Sequence, residues 1–230
     1  MNEHPKIAIF YHSVLDLGET PINETFAIDL LCSQMLSLKK SGLADASESI
    51  TVGLHSSDAK IELARKLIPE KATLFHHDSN LKSELPTIDV LRRWLPGHED
   101  WVVFYFHAKG VSKPDHPASA PWRACMERHC LWNWRLCVKD MVNGCDTVGA
   151  HWLTPEQYPT LVKYPFWGGN FWWAKASFLM TLPELPNTTP HFFTDRYWAE
   201  SWIGMGPQRP KVFDYAPHWP DTKPCSDLSE

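Results

Sequence analysis

The sequence lacks a long apolar run and an excess of positive charge. No apolar run approaches the ~20 residues that a helix needs to cross a bilayer, so no transmembrane segment is expected. The net charge of -5 at pH 7 provides no general attraction to nucleic acid or anionic lipid; a peripheral membrane contact through a local basic patch stays open. The first residues, MNEHPKIAIF, have no basic stretch before a long apolar segment, so no signal peptide is expected.

Several metal and nucleophile motifs are also missing. The 6 cysteines include no CxxC pair and are too sparse for a disulfide scaffold, so a reduced, cytoplasmic setting is the default expectation. A zinc site from Cys125, His129 and Cys130 is an alternative, but cysteines on a helix usually pack as small apolar residues. The sequence contains no GxSxG, Walker A or HExxH pattern.

Tryptophan, by contrast, is abundant. The chain has 12 Trp, concentrated after residue 90. Such residues either fill a core or offer flat surfaces to sugars and bases, and core packing is the more frequent use.

Strand-like and helix-like patterns alternate along the 230 residues. Apolar runs predict strands at 6–11, 50–54, 73–75, 101–106 and 146–151, and a glycine turn leads into an aromatic strand at 166–176. Helices are predicted at 25–40, 59–67, 87–95, 121–143, 177–182 and 194–203. The alternation predicts an α/β fold: a single Rossmann-like domain over residues 1–230 with a mostly parallel central sheet flanked by helices.

Polar residues follow four of the predicted strands. They are Tyr11-His12-Ser13, His55 to Asp58, His76-His77-Asp78 and His107-Ala108-Lys109-Gly110. Parallel sheets bind ligands beyond the carboxyl ends of their strands. Four polar strand ends in succession therefore predict one common site.

His107 and Lys109 follow the most apolar of these strands, WVVFYF. Alternate residues of an extended segment point the same way, so both side chains are predicted to reach one anion. Lysine is a compact charge suited to phosphate, and histidine can donate to phosphate or, when neutral, bind a metal. A surface turn with incidental charges is the alternative.

Two later segments offer polar groups beside aromatic rings. Gly169, Asn170 and Trp172 fit recognition of a sugar, with a β-bulge beside a tryptophan-filled core as the alternative. Glu200 or Asp195 is a candidate general base, and the flanking tryptophans would raise its pKa by desolvation. An intrahelical ion pair of Arg196 with Glu200 is the simpler interpretation.

The order of elements resembles that of GT-A glycosyltransferases, which bind nucleotide sugars. The segments FHAKGVS, WR, DTVGAH and GGNFWWAK, over about residues 101–204, are similar to the rhamnan-synthesis-F type of polysaccharide glycosyltransferase. This resemblance implies a hexosyl- or deoxyhexosyltransferase that moves a sugar from a nucleotide-diphosphate donor to a hydroxyl of a glycan acceptor.

The resemblance also implies roles for individual residues. Donor binding falls to Tyr11, His12 and Asp58 near the base and ribose, and to His107, Lys109 and Arg123 at the diphosphate. Gly169, Asn170 and Trp172 would face the sugar or acceptor, and Glu200 or Asp195 would be the base. The nucleotide-binding half would span about residues 1–112 and the acceptor half about 113–230.

This sequence departs from the GT-A glycosyltransferase family at the end of the fourth strand. The family places Asp-x-Asp there to hold a divalent metal, whereas this chain has His107-Ala108-Lys109. Basic groups can bind a diphosphate directly, so no cofactor is expected to be required. The alternative is that His107 and His218 bind Mn or Mg. Two other functions stay open: a non-catalytic module that binds glycan or nucleotide, and a sugar transferase acting on modified nucleic acid.

Overall fold

The computed structural model describes residues 5–15, 23–77, 84–160, 162–185 and 197–217. Within these ranges the strands are β1 (Ile7–Val14), β2 (Ser49–His55), β3 (Thr73–His77), β4 (Val102–His107), β5 (Thr147–Gly149), β6 (Trp152–Leu153), β7 (Phe166–Trp167), β8 (Trp172–Lys175) and β9 (Val212–Asp214). Seven of them form one sheet in the order β3-β2-β1-β4-β8-β5-β9, and β6 pairs with β7 separately.

The central sheet is mostly parallel. Strands β3, β2, β1 and β4 run parallel to one another, as do β5 and β9. Strand β8 is antiparallel to both of its neighbours, β4 and β5. The prediction of an α/β fold with a mostly parallel sheet is confirmed.

Helices connect the strands. The described α-helices are α1 (Glu24–Lys40), α2 (Leu43–Ala46), α3 (Asp58–Leu67), α4 (Leu85–Trp94), α5 (Ser119–Met126), α6 (Trp134–Val142), α7 (Ala176–Leu179) and α8 (Tyr197–Ser201). The side chain of Asn23 accepts a hydrogen bond from the Phe26 amide and caps the start of α1, as short polar residues do before a helix.

The prediction of one long helix over residues 121–143 is wrong. The segment contains α5, a π-helical turn at Glu127–Trp132 and then α6, with Asn133 outside helical geometry between them. A π-helical turn shifts the register of the side chains within a helix and is frequent at functional sites. Apolar spacing alone does not reveal such a turn, because the flanking turns keep nearly the same period.

The sheet is buried on both faces. In β1, Ile7, Ile9 and Tyr11 belong to one apolar core, while Ala8 and Phe10 belong to the other. Strands covered on both faces read as continuous apolar runs, which is why β1 and β4 could be recognised in the sequence. The fully buried tryptophans Trp167, Trp172, Trp173 and Trp202 confirm that core packing is a main use of this residue here.

Within the described residues, Cys125, His129 and Cys130 do not form a zinc site. Cys130 is a free, buried thiol whose sulfur contacts the Phe171 carbonyl oxygen, and Cys125 is disulfide-bonded. The disulfide departs from the fully reduced state that the cysteine count suggested. Nowhere in the described ranges do three or more metal-binding side chains come together, and no described helix is long and apolar enough to cross a membrane.

Candidate active site

The candidate site lies at the carboxyl edge of the parallel strands, between β1 and β4. The chain proceeds from β1 to β2 and β3 on one side, whereas β4 lies on the other side of β1. Sheets of this type bind ligands in the crevice at such a reversal of strand order. His12 and His107 are register partners at this point, so the polar strand ends named above do share one edge.

Lys109 and Glu200 meet at this edge. The Lys109 Nζ lies 4.0 Å from the Glu200 Oε1, and the two side chains are only 17% and 13% exposed. The same ammonium lies 4.4 Å from the centre of the Trp122 ring, a favourable cation–π arrangement. An ammonium and a carboxylate are therefore held together in a partly desolvated position.

Arg123 supports the backbone that carries Lys109. Its guanidinium donates to the Lys109 carbonyl oxygen at 2.8 Å and lies 4.0 Å from the Glu127 carboxylate. Gln34 in turn donates to Glu127 at 2.9 Å and to the His107 carbonyl oxygen at 3.3 Å. The predicted donor-binding arginine is thus also part of a network that holds the end of β4.

Tyr11 is part of the same network and does not reach the surface. Its side chain is fully buried, and its hydroxyl donates to Gln34 at 2.7 Å. Burial raises the pKa of this phenol to a value far above its usual range. The expectation that Tyr11 lies beside a nucleotide base is corrected, because the side chain points into the core.

His107 is engaged at both ring nitrogens. Nδ1 lies 3.0 Å from Glu84 Oε1, and Nε2 lies 2.9 Å from the Gly169 carbonyl oxygen. Burial, followed by the charge of Lys109, lowers the pKa of His107 to about 3. The expectation that His107 and Lys109 jointly contact one anion is corrected for His107, because neither nitrogen is available to a phosphate or a metal in this arrangement.

Asn170 and Trp172 form a chain of hydrogen bonds that ends at Glu84. Asn170 donates to the Glu84 carboxyl group at 2.6 Å and accepts a hydrogen bond from the Trp172 indole at 2.7 Å. Asn170 is fully buried and Trp172 is 1% exposed, with the indole stacked on Tyr105. The expectation that these two side chains face a sugar is corrected, because they lie inside the protein.

Gly169 has a structural role in the turn before β8. It has a φ of 85°, which favours glycine, and a Cβ at this position would lie 2.5 Å from the Met126 sulfur. Its carbonyl oxygen is the one that His107 contacts. Gly169 therefore allows close packing of this turn against α5.

Histidines gather on the other side of the crevice, near the carboxyl ends of β1, β2 and β3. The His77 ring lies 5.7 Å from that of His12 and 5.1 Å from that of His55. His12 also contacts the Thr87 hydroxyl at 2.8 Å. Burial, and then the charges of the neighbouring imidazoles, lower the pKa of His12 well below its usual value, so His12 is neutral at neutral pH.

The other predicted residues divide into two groups. Asp58 begins α3, is exposed, and lies 3.6 Å from a ring nitrogen of His76, so its carboxylate is open to solvent at the edge of the site. Asp195 and His218 lie outside the described residues.

Sequence reasoning missed Glu84, Gln34 and Thr87 altogether. Glu84 lies just before the predicted helix 87–95 and had the appearance of an ordinary polar residue at a helix start.

Comparison with protein families places the chain in a group without an assigned activity. The family described as Domain of unknown function (DUF8361) matches residues 10–187. Since this match covers most of the chain, the protein belongs to that family. No curated protein matches the sequence.

Solved structures give distant similarities. A mycobacterial protein has 13% identity and a TM-score of 0.44, with 87% of this chain aligned to 63% of that chain. This chain therefore spans less than two thirds of that structure's length. A 4-diphosphocytidyl-2C-methyl-D-erythritol synthase has 11% identity and a TM-score of 0.45, with coverages of 93% and 90%.

A third structure is glucosyl-3-phosphoglycerate synthase from Mycobacterium tuberculosis in complex with Mn²⁺, UDP and glucosyl-3-phosphoglycerate. It has 13% identity and a TM-score of 0.45, with 97% of this chain aligned to 75% of that chain. Values this low do not transfer an activity. The strand order and the side-chain contacts described above define the site.

Proposed function

We propose that this protein is a glycosyltransferase that moves a sugar from a nucleotide-diphosphate donor to a hydroxyl of a glycan acceptor. The observation that supports this proposal is the pair of Lys109 and Glu200 at the reversal of strand order. A diphosphate needs a fixed positive charge, and an attacking hydroxyl needs a base within reach. The crevice offers both groups next to each other.

Lys109 is the proposed ligand of the diphosphate. Its ammonium is held over Trp122, and Arg123 fixes the backbone from which the side chain extends. Binding of an anion here would also exploit the reduced exposure of the site, because charge–charge attraction is stronger where water is scarce. Asp58 keeps its proposed place near the base and ribose, whereas His12 is 2% exposed and hydrogen-bonded to Thr87, so its side chain lies behind that surface.

Glu200 is the proposed general base of a reaction that inverts the anomeric carbon. The carboxylate takes the proton of the acceptor hydroxyl while the oxygen forms its bond to the anomeric carbon. The bond from that carbon to the diphosphate oxygen breaks, and Lys109 stabilises the negative charge that leaves with the nucleotide. Asp195 is the second candidate for the same role.

The described residues at this strand end do not fit a divalent cation. Lys109 is itself a cation, and both His107 nitrogens are engaged. We therefore infer that donor binding proceeds without a metal through these groups. The similarity to polysaccharide enzymes of the rhamnan-synthesis-F type, the cytoplasmic location and the division at about residue 112 stay predictions.

A panel of nucleotide sugars tests the proposal. A true donor present at a hundredfold excess over its dissociation constant is expected to raise the melting temperature by about 5–10 °C, and to be hydrolysed or transferred when an acceptor is supplied. Excess EDTA is expected to change neither result, because Lys109 provides the positive charge.

The other outcomes separate the alternatives. Stabilisation by a donor without any turnover would indicate a binding module. Activity abolished by EDTA and restored by Mn²⁺ would overturn the metal-independent mechanism. A melting temperature that no donor shifts would overturn the proposed function as a whole.

A further inference from the structure

Glu84 and His107 form a buried pair at the wall of the candidate site. The Glu84 Oε1 lies 3.0 Å from the His107 Nδ1, and the two side chains are 13% and 12% exposed. Glu84 precedes α4 and His107 ends β4. None of the roles proposed above requires this contact.

The hydrogen bonds determine how many protons the pair holds. The Gly169 carbonyl oxygen can only accept, so the His107 Nε2 that contacts it at 2.9 Å must carry a hydrogen. The Nδ1 then faces a carboxyl oxygen. Two lone pairs would repel each other at this distance, so one further proton must lie between Glu84 and His107.

The other contacts of Glu84 show which oxygen shares that proton, and the burial of the pair favours the neutral arrangement. The Glu84 Oε2 accepts hydrogen bonds from the Tyr105 hydroxyl at 2.8 Å and from the Asn170 amide at 2.6 Å. These two bonds occupy Oε2, so Oε1 is the oxygen that shares the remaining proton with Nδ1, either as the donor of a neutral acid or as the acceptor of an ionised pair. A neutral acid beside a neutral imidazole satisfies every polar atom of the pair. The ionic alternative would place two charges in a desolvated site, which is costly.

We propose that Glu84 and His107 share a single proton, carried on Glu84, and that this neutral pair holds the Gly169–Asn170 turn against the end of β4. His107 binds the Gly169 carbonyl group, and Glu84 binds the Asn170 side chain. Asn170 adopts a φ of 57°, a left-handed conformation that asparagine tolerates better than most residues with a Cβ, and the bond to Glu84 fixes the side chain that extends from it. The pair is a positioning device for this wall of the crevice.

The charges around the pair agree with this assignment. Burial raises the pKa of Glu84 above its usual value despite the hydrogen bond from Tyr105 and the nearby charge of Lys109. For His107, burial and the charge of Lys109 outweigh the opposing effect of Glu200 and keep its pKa low. His12 on β1 is the register neighbour of His107 and is itself neutral.

A protonated Glu84 makes stability depend on pH in a specific direction. In the unfolded chain the carboxyl group loses its proton above about pH 4.3, whereas the folded protein keeps it. The folded state therefore binds one more proton, and this contribution to stability is lost as the pH rises from that value toward the folded pKa of Glu84. Glutamine at this position imitates the neutral acid and has no proton to lose.

The decisive measurement is the melting temperature of wild type and Glu84→Gln between pH 5 and pH 8. Over the part of this range that lies below the folded pKa of Glu84, the melting temperature of the variant is expected to rise relative to that of wild type by roughly 3–5 °C per pH unit. Glu99→Gln is the control, because hydrogen bonds from backbone amides lower the pKa of that exposed carboxyl, so its effect is expected to be constant over this range. A Glu84→Gln variant that is less stable than wild type by the same amount at every pH would overturn the proposal.

A second measurement addresses the ring itself. Nitrogen NMR of His107 is expected to show one protonated and one unprotonated nitrogen throughout this pH range; two protonated nitrogens would indicate the ionic pair and overturn the assignment. Glu84→Ala, which removes the partner of three polar groups, is expected to lower the melting temperature by about 6–12 °C.

Turnover assays test whether the Glu84–His107 pair positions the site without taking part in the reaction. The functional importance of this wall rests on the proposed glycosyl transfer, but the melting and NMR measurements need neither donor nor acceptor. In a turnover assay, Glu84→Gln is expected to retain the activity that Glu84→Ala loses. If Glu84→Gln loses activity as completely as Glu84→Ala, the positioning role of the neutral pair is wrong.

Discussion

Replacing Glu200 with glutamine is expected to lower sugar transfer by about 10²–10⁴-fold, the usual contribution of a general base, while donor affinity stays within about threefold of wild type. The amide keeps the size and position of the side chain on α8 but cannot accept a proton. Donor binding is retained because the diphosphate is assigned to Lys109, which the substitution leaves in place.

The assay compares single turnover of a donor identified by the panel with its dissociation constant in the same variant. Glu156→Gln is the matched control, since Glu156 also faces a cation, Arg209 at 3.8 Å, but in an exposed position; its activity is expected to equal that of wild type. Full activity of Glu200→Gln would remove Glu200 from the mechanism and transfer the assignment to Asp195 or to a reaction that retains the anomeric configuration.

Replacing Lys109 with methionine is expected to weaken donor binding by roughly 10–100-fold, the range for loss of a hydrogen bond to a charged group. Methionine keeps an unbranched apolar stem that can still pack on Trp122, so the loss is one of charge. The effect is expected to shrink as salt is added, because mobile ions screen the attraction between the ammonium and the diphosphate.

Lys6→Met provides the control for this substitution. Lys6 also places an ammonium over an indole, that of Trp101 at 5.5 Å, but it precedes β1 and therefore lies at the opposite edge of the sheet. Donor affinity of this variant is expected to equal that of wild type. If Lys109→Met binds the donor as tightly as wild type, the diphosphate is held elsewhere.

The site was only partly predictable from the sequence. Lys109 was proposed because a cationic side chain just after an apolar strand marks the carboxyl edge of a parallel sheet, and its role in donor binding stays a prediction. Glu200 was found as a carboxylate between tryptophans on a helical pattern, and the structure places it beside Lys109. Gly169, Asn170 and Trp172 were predicted to face a sugar, whereas the Asn170 and Trp172 side chains are buried; a glycine turn next to aromatic residues has the same pattern whether it faces a ligand or the core.

The sequence by itself determined the alternation of strands and helices and the shared edge of four polar strand ends, because periodicity and strand direction are local properties. Only the tertiary structure decided which side chains at that edge are open and which are engaged. Glu84 contacts Asn170 across 86 positions of the chain, and His107 contacts Gly169 across 62. Contacts of this range depend on how β8 inserts antiparallel beside β4, which no local pattern specifies.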